Sequence, residues 1–204
     1  MAYSDFTLAK VRDSFELTLD ETKDLFATVE PIQPSKTLEL ILADYIPLAT
    51  AISTEKARSE FLIAPLLADV RRQFNNQISL FSGNEFPVDP TLGLHGFCDY
   101  IISASPEQLL IAAPVVTIVE AKRENIVGGL GQCIAAMVAA QLFNQQKDKP
   151  VETIYGVVTT GTNWKFLTLT EKIVSIDFNE YFINQPDKIL GILMEPFKDV
   201  LVAA

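Results

Sequence analysis

The chain is poor in metal-binding and redox side chains. Its 204 residues include one histidine, two cysteines and one tryptophan. Cys98 and Cys133 lie far apart, with no His or Cys neighbour at metal-ligand spacing. This argues against a thiolate metal site and a disulfide framework, and predicts two buried free thiols in a reducing compartment. His95 is four residues from Asp99 along an expected strand, roughly 13 Å, so a place in a turn or in the core suits it better than a shared site. Long apolar runs are also missing. None reaches the roughly 18 residues of a membrane span. The first residues, "MAYSDFTLAKVRDSF", carry acids early and no continuous apolar core, unlike a secretory signal. A cytoplasmic protein with no membrane partner is the expectation.

Positive charge is scarce. Sixteen Lys and Arg face 26 Asp and Glu, for a net charge of −10. Proteins that hold nucleic acid by a general field are usually basic. Any phosphate contact here must use a divalent cation or one of the small basic clusters, Arg71-Arg72, Lys122-Arg123 or Lys147 with Lys149. The glycines of "VGGLG" (127–131) lack the Gly-Lys-Ser/Thr ending of a phosphate loop and read as the start of a helix.

What is present is a globular balance, 49% hydrophobic and 21% charged, on a length that suits one domain with an appendage. "TLDETKDLF" (18–26) predicts a short helix capped by Thr18 or Asp20. Two prolines break the chain at 30–35. An apolar helical pattern then opens at Ser35 or Thr37, and Pro47 ends or kinks it. Residues 54–74 predict a longer helix capped by Thr54 and kinked at Pro65. Strands follow at 78–83, 94–104 and 114–122, the last two as a hairpin. A helix at 128–146, apolar or small nearly all round, should be covered on more than one side. Three more strands and an amphipathic helix opening at Pro186 complete the chain. The order ααβββαβββα predicts an α/β (α+β) domain with a central mixed β-sheet flanked by helices. Residues 1–50 read as a helical appendage and 51–204 as the main domain.

The chemistry gathers at two strand ends. "VVTIVEAK" (115–122) runs from a buried apolar strand into Glu120 and Lys122, which alternation places on one face with Val116 and Ile118. An isolated Glu-x-Lys is most simply a structural ion pair. Asp99, however, interrupts the apolar strand "GFCDYIIS". If the two strands pair antiparallel, Asp99 comes opposite residue 119 or 120, beside Glu120. Adjacent buried carboxylates repel, and a hard cation such as Mg²⁺ relieves that repulsion directly.

An Asp, a gap of about twenty residues, Glu-x-Lys on the next strand and then an apolar helix resembles the PD-(D/E)xK nuclease superfamily. The match is Asp99 with Glu120-Ala121-Lys122, over roughly residues 55–170. Cys98 stands where the motif's name has proline. Glu60, in "RSEFLIAPLL", resembles the acid that many members add from their first core helix. Gln132, in "GLGQCIAAM", resembles the glutamine of the subset related to RecB nucleases and to the N-terminal nuclease region of type I restriction subunits. The resemblance implies a restriction-endonuclease-like core and Mg²⁺ (or Mn²⁺) held by Glu60, Asp99, Glu120 and the Ala121 carbonyl. It implies catalytic roles for Asp99, Glu120, Lys122 and Gln132, and hydrolysis of DNA in restriction or repair. With so acidic a chain, a homodimer or partner subunit would add grip. The alternative on the same fold is a catalytically silent binding or regulatory module.

Overall fold

The computed structural model describes residues 1–202. A 3-10 turn (Tyr3–Asp5) precedes α1 (Leu8–Phe15), then β1 (Thr18–Asp20), α2 (Lys36–Ile52) and α3 (Glu55–Arg58). A π-helical turn (Ser59–Ile63) joins α3 to α4 (Ala64–Gln73). Next come β2 (Ser79–Glu85), β3 (Phe97–Ser103), β4 (Val115–Ala121) and α5 (Ile126–Gln146). Last are β5 (Thr153–Thr159), β6 (Asn163–Thr170), β7 (Ile173–Ile176), β8 (Tyr181–Phe182) and α6 (Pro186–Val202).

The strands form one mixed sheet in the order β1-β7-β6-β5-β4-β3-β2, with β8 sharing the β6 edge. Among the described residues only β4–β5 and β1–β7 pair parallel. The first follows from α5, a crossover helix between its two strands. On one face, Ile101, Ile118, Val158 and Leu167 pack against α5 and the N-terminal segment. On the other, Tyr100, Val119, Val157 and Phe166 pack under α2, α4 and α6. This is the mixed sheet flanked by helices that the sequence predicts.

The segment expected as a helix at 18–26 is instead β1 and a turn. The Asp20 carboxylate accepts from the Thr22 N–H (3.1 Å) and Thr22 Oγ (2.7 Å), so its capping chemistry closes a turn. Pairing of Thr18 to Asp20 with β7 then outweighs the local signal. Residues 1–50, expected as a helical appendage, thus give the sheet an edge strand as well as two helices. The expected element order also omitted α1 and β8. Pro47 does not end its helix, and α2 continues to Ile52. The helix widens into the π-turn just before Pro65, which stands in the first turn of α4. Proline has no N–H for the carbonyl four residues back, and the Tyr100 hydroxyl donates to the Ser59 carbonyl (3.0 Å).

Helix α5 is covered on both sides, as its composition requires. By length and apolarity it could cross a membrane, a test the sequence reading missed, but more than half of the stretch is buried inside the protein. Asn144 near its end clamps β4: its Oδ1 accepts from Val115 N and its Nδ2 donates to Val115 O, both at 2.7 Å. The clamp fixes how far α5 runs along the strand, and so sets its first turn above the far end of β4. Gly131 permits the N-terminal segment to cross α5. A Cβ there would sit 2.4 Å from the Phe6 carbonyl oxygen and from the Thr7 carbonyl carbon, which are backbone atoms that cannot swing away. Gly131→Ala is therefore expected to lower stability by about 2 kcal/mol, read by urea unfolding.

Candidate active site

Strands β3 and β4 pair antiparallel with Tyr100 opposite Val119. One position further the backbone ladder gives way to a side chain: the Asp99 carboxylate accepts the Ala121 N–H at 2.7 Å. Asp99 thus comes level with Glu120, as strand alternation predicts. Val116 does not share the Glu120 face as expected. Ile102 pairs with Thr117 and Ser103 with Val115, so Val116 is the extra residue of a bulge and joins the opposite core.

Glu120 is 3% exposed. Lys122 Nζ donates to Glu120 Oε1 at 2.6 Å and to Gln132 Oε1, on the second turn of α5, at 3.3 Å. The Lys122 N–H donates to the Thr159 carbonyl (2.8 Å), which carries β4 past its last ladder residue along β5. Gly129 leaves room for the lysine stem. A Cβ there would lie 2.7 Å from Val158 Cγ1 and 3.0 Å from Lys122 Cγ and Cε. Two glycines of "VGGLG", Gly129 and Gly131, therefore serve close packing of α5 over Lys122 and over the N-terminal segment.

The electrostatics follow from that burial. Desolvation first, then the charge of Asp99, pushes the Glu120 carboxyl up to about 8, and Lys122 only partly offsets this. Burial alone would lower the Lys122 ammonium. The charge and hydrogen bond of Glu120, with Asp99 and Glu55, outweigh it and hold Lys122 above its ordinary value. Cys98 and Cys133 are free, buried thiols, raised by burial and then by the charge of Glu120. They have no thiolate character near neutral pH.

Glu60 sits apart from this cluster. It shares a cleft of about 330 Å³ with Asp99, Ala121, Ser59 and Glu55. Its side chain is 57% exposed and faces Lys56 at 3.7 Å. The π-turn holds it there, since Tyr100 OH and Ser59 Oγ are 2.6 Å apart beneath it. Among the described residues no three His, Cys, Asp or Glu side chains come together closely enough to hold a metal ion. The convergence of three acids expected from the sequence is here a pair, Asp99 and Glu120, with Glu60 on the cleft wall.

The chain matches no family model, no curated protein and no solved structure.

The donor set is that of a hard cation: two adjacent carboxylates and the backbone oxygens of a strand end. Mg²⁺ characteristically uses one or two carboxylates and keeps several waters. A carboxyl pushed up by burial first and a neighbouring anion second is a place short of compensating positive charge. The Asp99–Glu120 pair falls short of a preformed cage, so a hard cation there would complete its shell with water. Two participants escaped the sequence reading. Glu55, whose charge acts on Lys122, looks in sequence like any first-turn helix acid. Arg58, which bonds the Thr160 carbonyl and Thr162 hydroxyl, looks like a solvated one.

Proposed function

We propose that the chain is a metal-dependent phosphodiester hydrolase, a nuclease acting on DNA, built on a restriction-endonuclease-like core of the PD-(D/E)xK type. The observation that carries this reading is the buried Glu120 carboxyl beside the half-buried Asp99, with Lys122 bonded to both Glu120 and Gln132. Asp99, Glu120 and the Ala121 carbonyl would hold Mg²⁺ or Mn²⁺, with Glu60 reaching it through water, and the ion supplies phosphate polarisation and a more acidic bound water.

The protein's own contribution is orientation. Asp99 is fixed by the Ala121 N–H and by a side-chain hydrogen bond with Glu120, which hold it at the cleft that it lines. Gln132 holds the Lys122 ammonium in place. Once Glu120 is deprotonated, Lys122 lies where it stabilises charge developing on a phosphate oxygen. Restriction or repair of DNA in the cytoplasm suits this chemistry, and a homodimer or partner subunit would add to the local contacts that an acidic chain can make.

A second reading, a silent binding or regulatory module on the same core, is favoured by the exposure of Glu60. Incubation of varied DNA and RNA substrates with Mg²⁺ and with Mn²⁺ separates the two. The nuclease reading expects cleavage that a chelator stops and that Lys122→Ala slows roughly a hundredfold. Intact substrates under every condition would leave the silent module.

A further inference from the structure

We propose that a second cleft, beside the carboxylate pair, is a track for one strand of single-stranded nucleic acid. Arg58 and Arg123 grip a phosphate there, and Phe182 stacks on a base. The proposal rests on the nuclease reading and deepens it, because it names the form of the substrate.

The cleft has a volume of about 400 Å³ and is lined by Arg58, Arg123, Thr160, Thr162 and Asn163, with the first turn of α5 as its floor. It adjoins the reactive cluster through the chain itself. Arg123 follows Lys122. Thr160 follows Thr159, whose carbonyl accepts the Lys122 N–H. Arg58 lies one helical turn from Glu55.

Arg58 is held ready rather than spent. Its Nη1 donates to the Thr160 carbonyl (3.2 Å) and to Thr162 Oγ1 (3.0 Å). Its Nε–H is buried with no acceptor. The buried Nε itself is out of a ligand's reach, but Arg58 lines the cleft and is anchored on neutral oxygens rather than on a carboxylate, so its charge is left for an anion. Arg123 Nε is 3.4 Å from Glu124, but both side chains are largely exposed, at 65% and 74%. Such a contact is weak and leaves Arg123 available. Glu124 and Glu180 also line the cleft. Two acids beside two arginines make a poor sink for a duplex, with its dense double row of charge, and suit a single phosphate.

The base-binding element is Phe182. It pairs with Asn163 across β6 and β8, so the two side chains leave the sheet on the same face. Tyr181 points the other way, into the core. Phe182 is 46% exposed. An exposed aromatic ring beside cleft-lining arginines has the form of a stacking platform for single strands, which tolerates any base. In a chain of net charge −10, such local grip must replace a general attractive field.

The test is fluorescence anisotropy with a labelled oligothymidylate and with a blunt duplex, in chelator, over a range of salt. The single strand is expected to bind more tightly than the duplex. Phe182→Ala should weaken it about tenfold without changing the salt slope. Arg123→Ala should weaken it and lower the slope by about one. Arg58→Ala also frees Thr160 and Thr162 and can loosen the fold, so the two exposed variants carry the test. Preference for the duplex, no binding of either oligonucleotide at low salt, or unchanged affinity in both variants would overturn the proposal. Wild-type binding in chelator, with the oligonucleotides left intact once Mg²⁺ or Mn²⁺ is added, would sink the nuclease reading and leave the track standing.

Discussion

Glu120→Gln is expected to abolish cleavage while stabilising the fold above neutral pH. The Glu120 carboxyl is pushed from 4.5 up to about 8, chiefly by burial and then by Asp99. For an acid raised in this way, the contribution to folding stability is complete below 4.5 and is lost as pH rises through 8. Glutamine has the shape of the protonated acid, can still accept from Lys122 and does not titrate. Urea unfolding in chelator should therefore give matching stabilities for the two proteins at acid pH. Above pH 8 the variant should lead by about 2 kcal/mol. Cleavage should fall on the order of a thousandfold, because a neutral amide is a poor ligand for a hard cation. A variant that gains nothing at high pH would mean that Glu120 is ionised in the folded protein and that its burial has been met by other groups.

Asp69→Ala is expected to be the most damaging single change away from the site. Asp69 is fully buried in α4. Its carboxylate accepts from Ser35 N (3.1 Å), Ser35 Oγ, Arg72 Nη1 (2.7 Å) and Gln73 Nε2 (3.0 Å). Ser35 is also the N-cap of α2, its Oγ accepting from Leu38 N at 3.2 Å. One carboxylate therefore fixes the start of α2 against α4. Its removal leaves the half-buried Ser35 N–H and hydroxyl without this acceptor, while Arg72 is half exposed and keeps Ser35 Oγ, at a cost of about 3 kcal/mol. The melting temperature should fall by roughly 10 °C. Asp69→Asn keeps an acceptor and should fall between this variant and the wild type.

These two acids show what could be seen in the sequence and what could not. Glu120 and Asp99 stand out because each interrupts an apolar strand, and strand alternation with a hairpin brings them level. The same parity misplaces Val116, because a bulge leaves no trace in residue order. Asp69 falls on the apolar stripe of its helix, yet its partner Ser35 is a helix cap with an ordinary local role. Glu60 follows a rule of residue order, but the π-turn at Pro65 and Tyr100 decides where it faces. Strand β1 is three residues long with no alternation to detect, and only its neighbour makes it a strand. Short-range patterns thus reveal long elements and same-strand relations. Contacts that join distant segments through a single side chain or a short edge strand become visible only in three dimensions.

Strand β1 has one more consequence. Thr18 pairs with Ile173, the Lys188 ammonium donates to the Phe26 and Val29 carbonyls, and Gly191 lies against the backbone of Glu30. During synthesis residues 18–30 must wait for residues 173–191 before they find their seat. The margin of the sheet is then the closing step of assembly, and an interrupted translation product would leave that border unzipped.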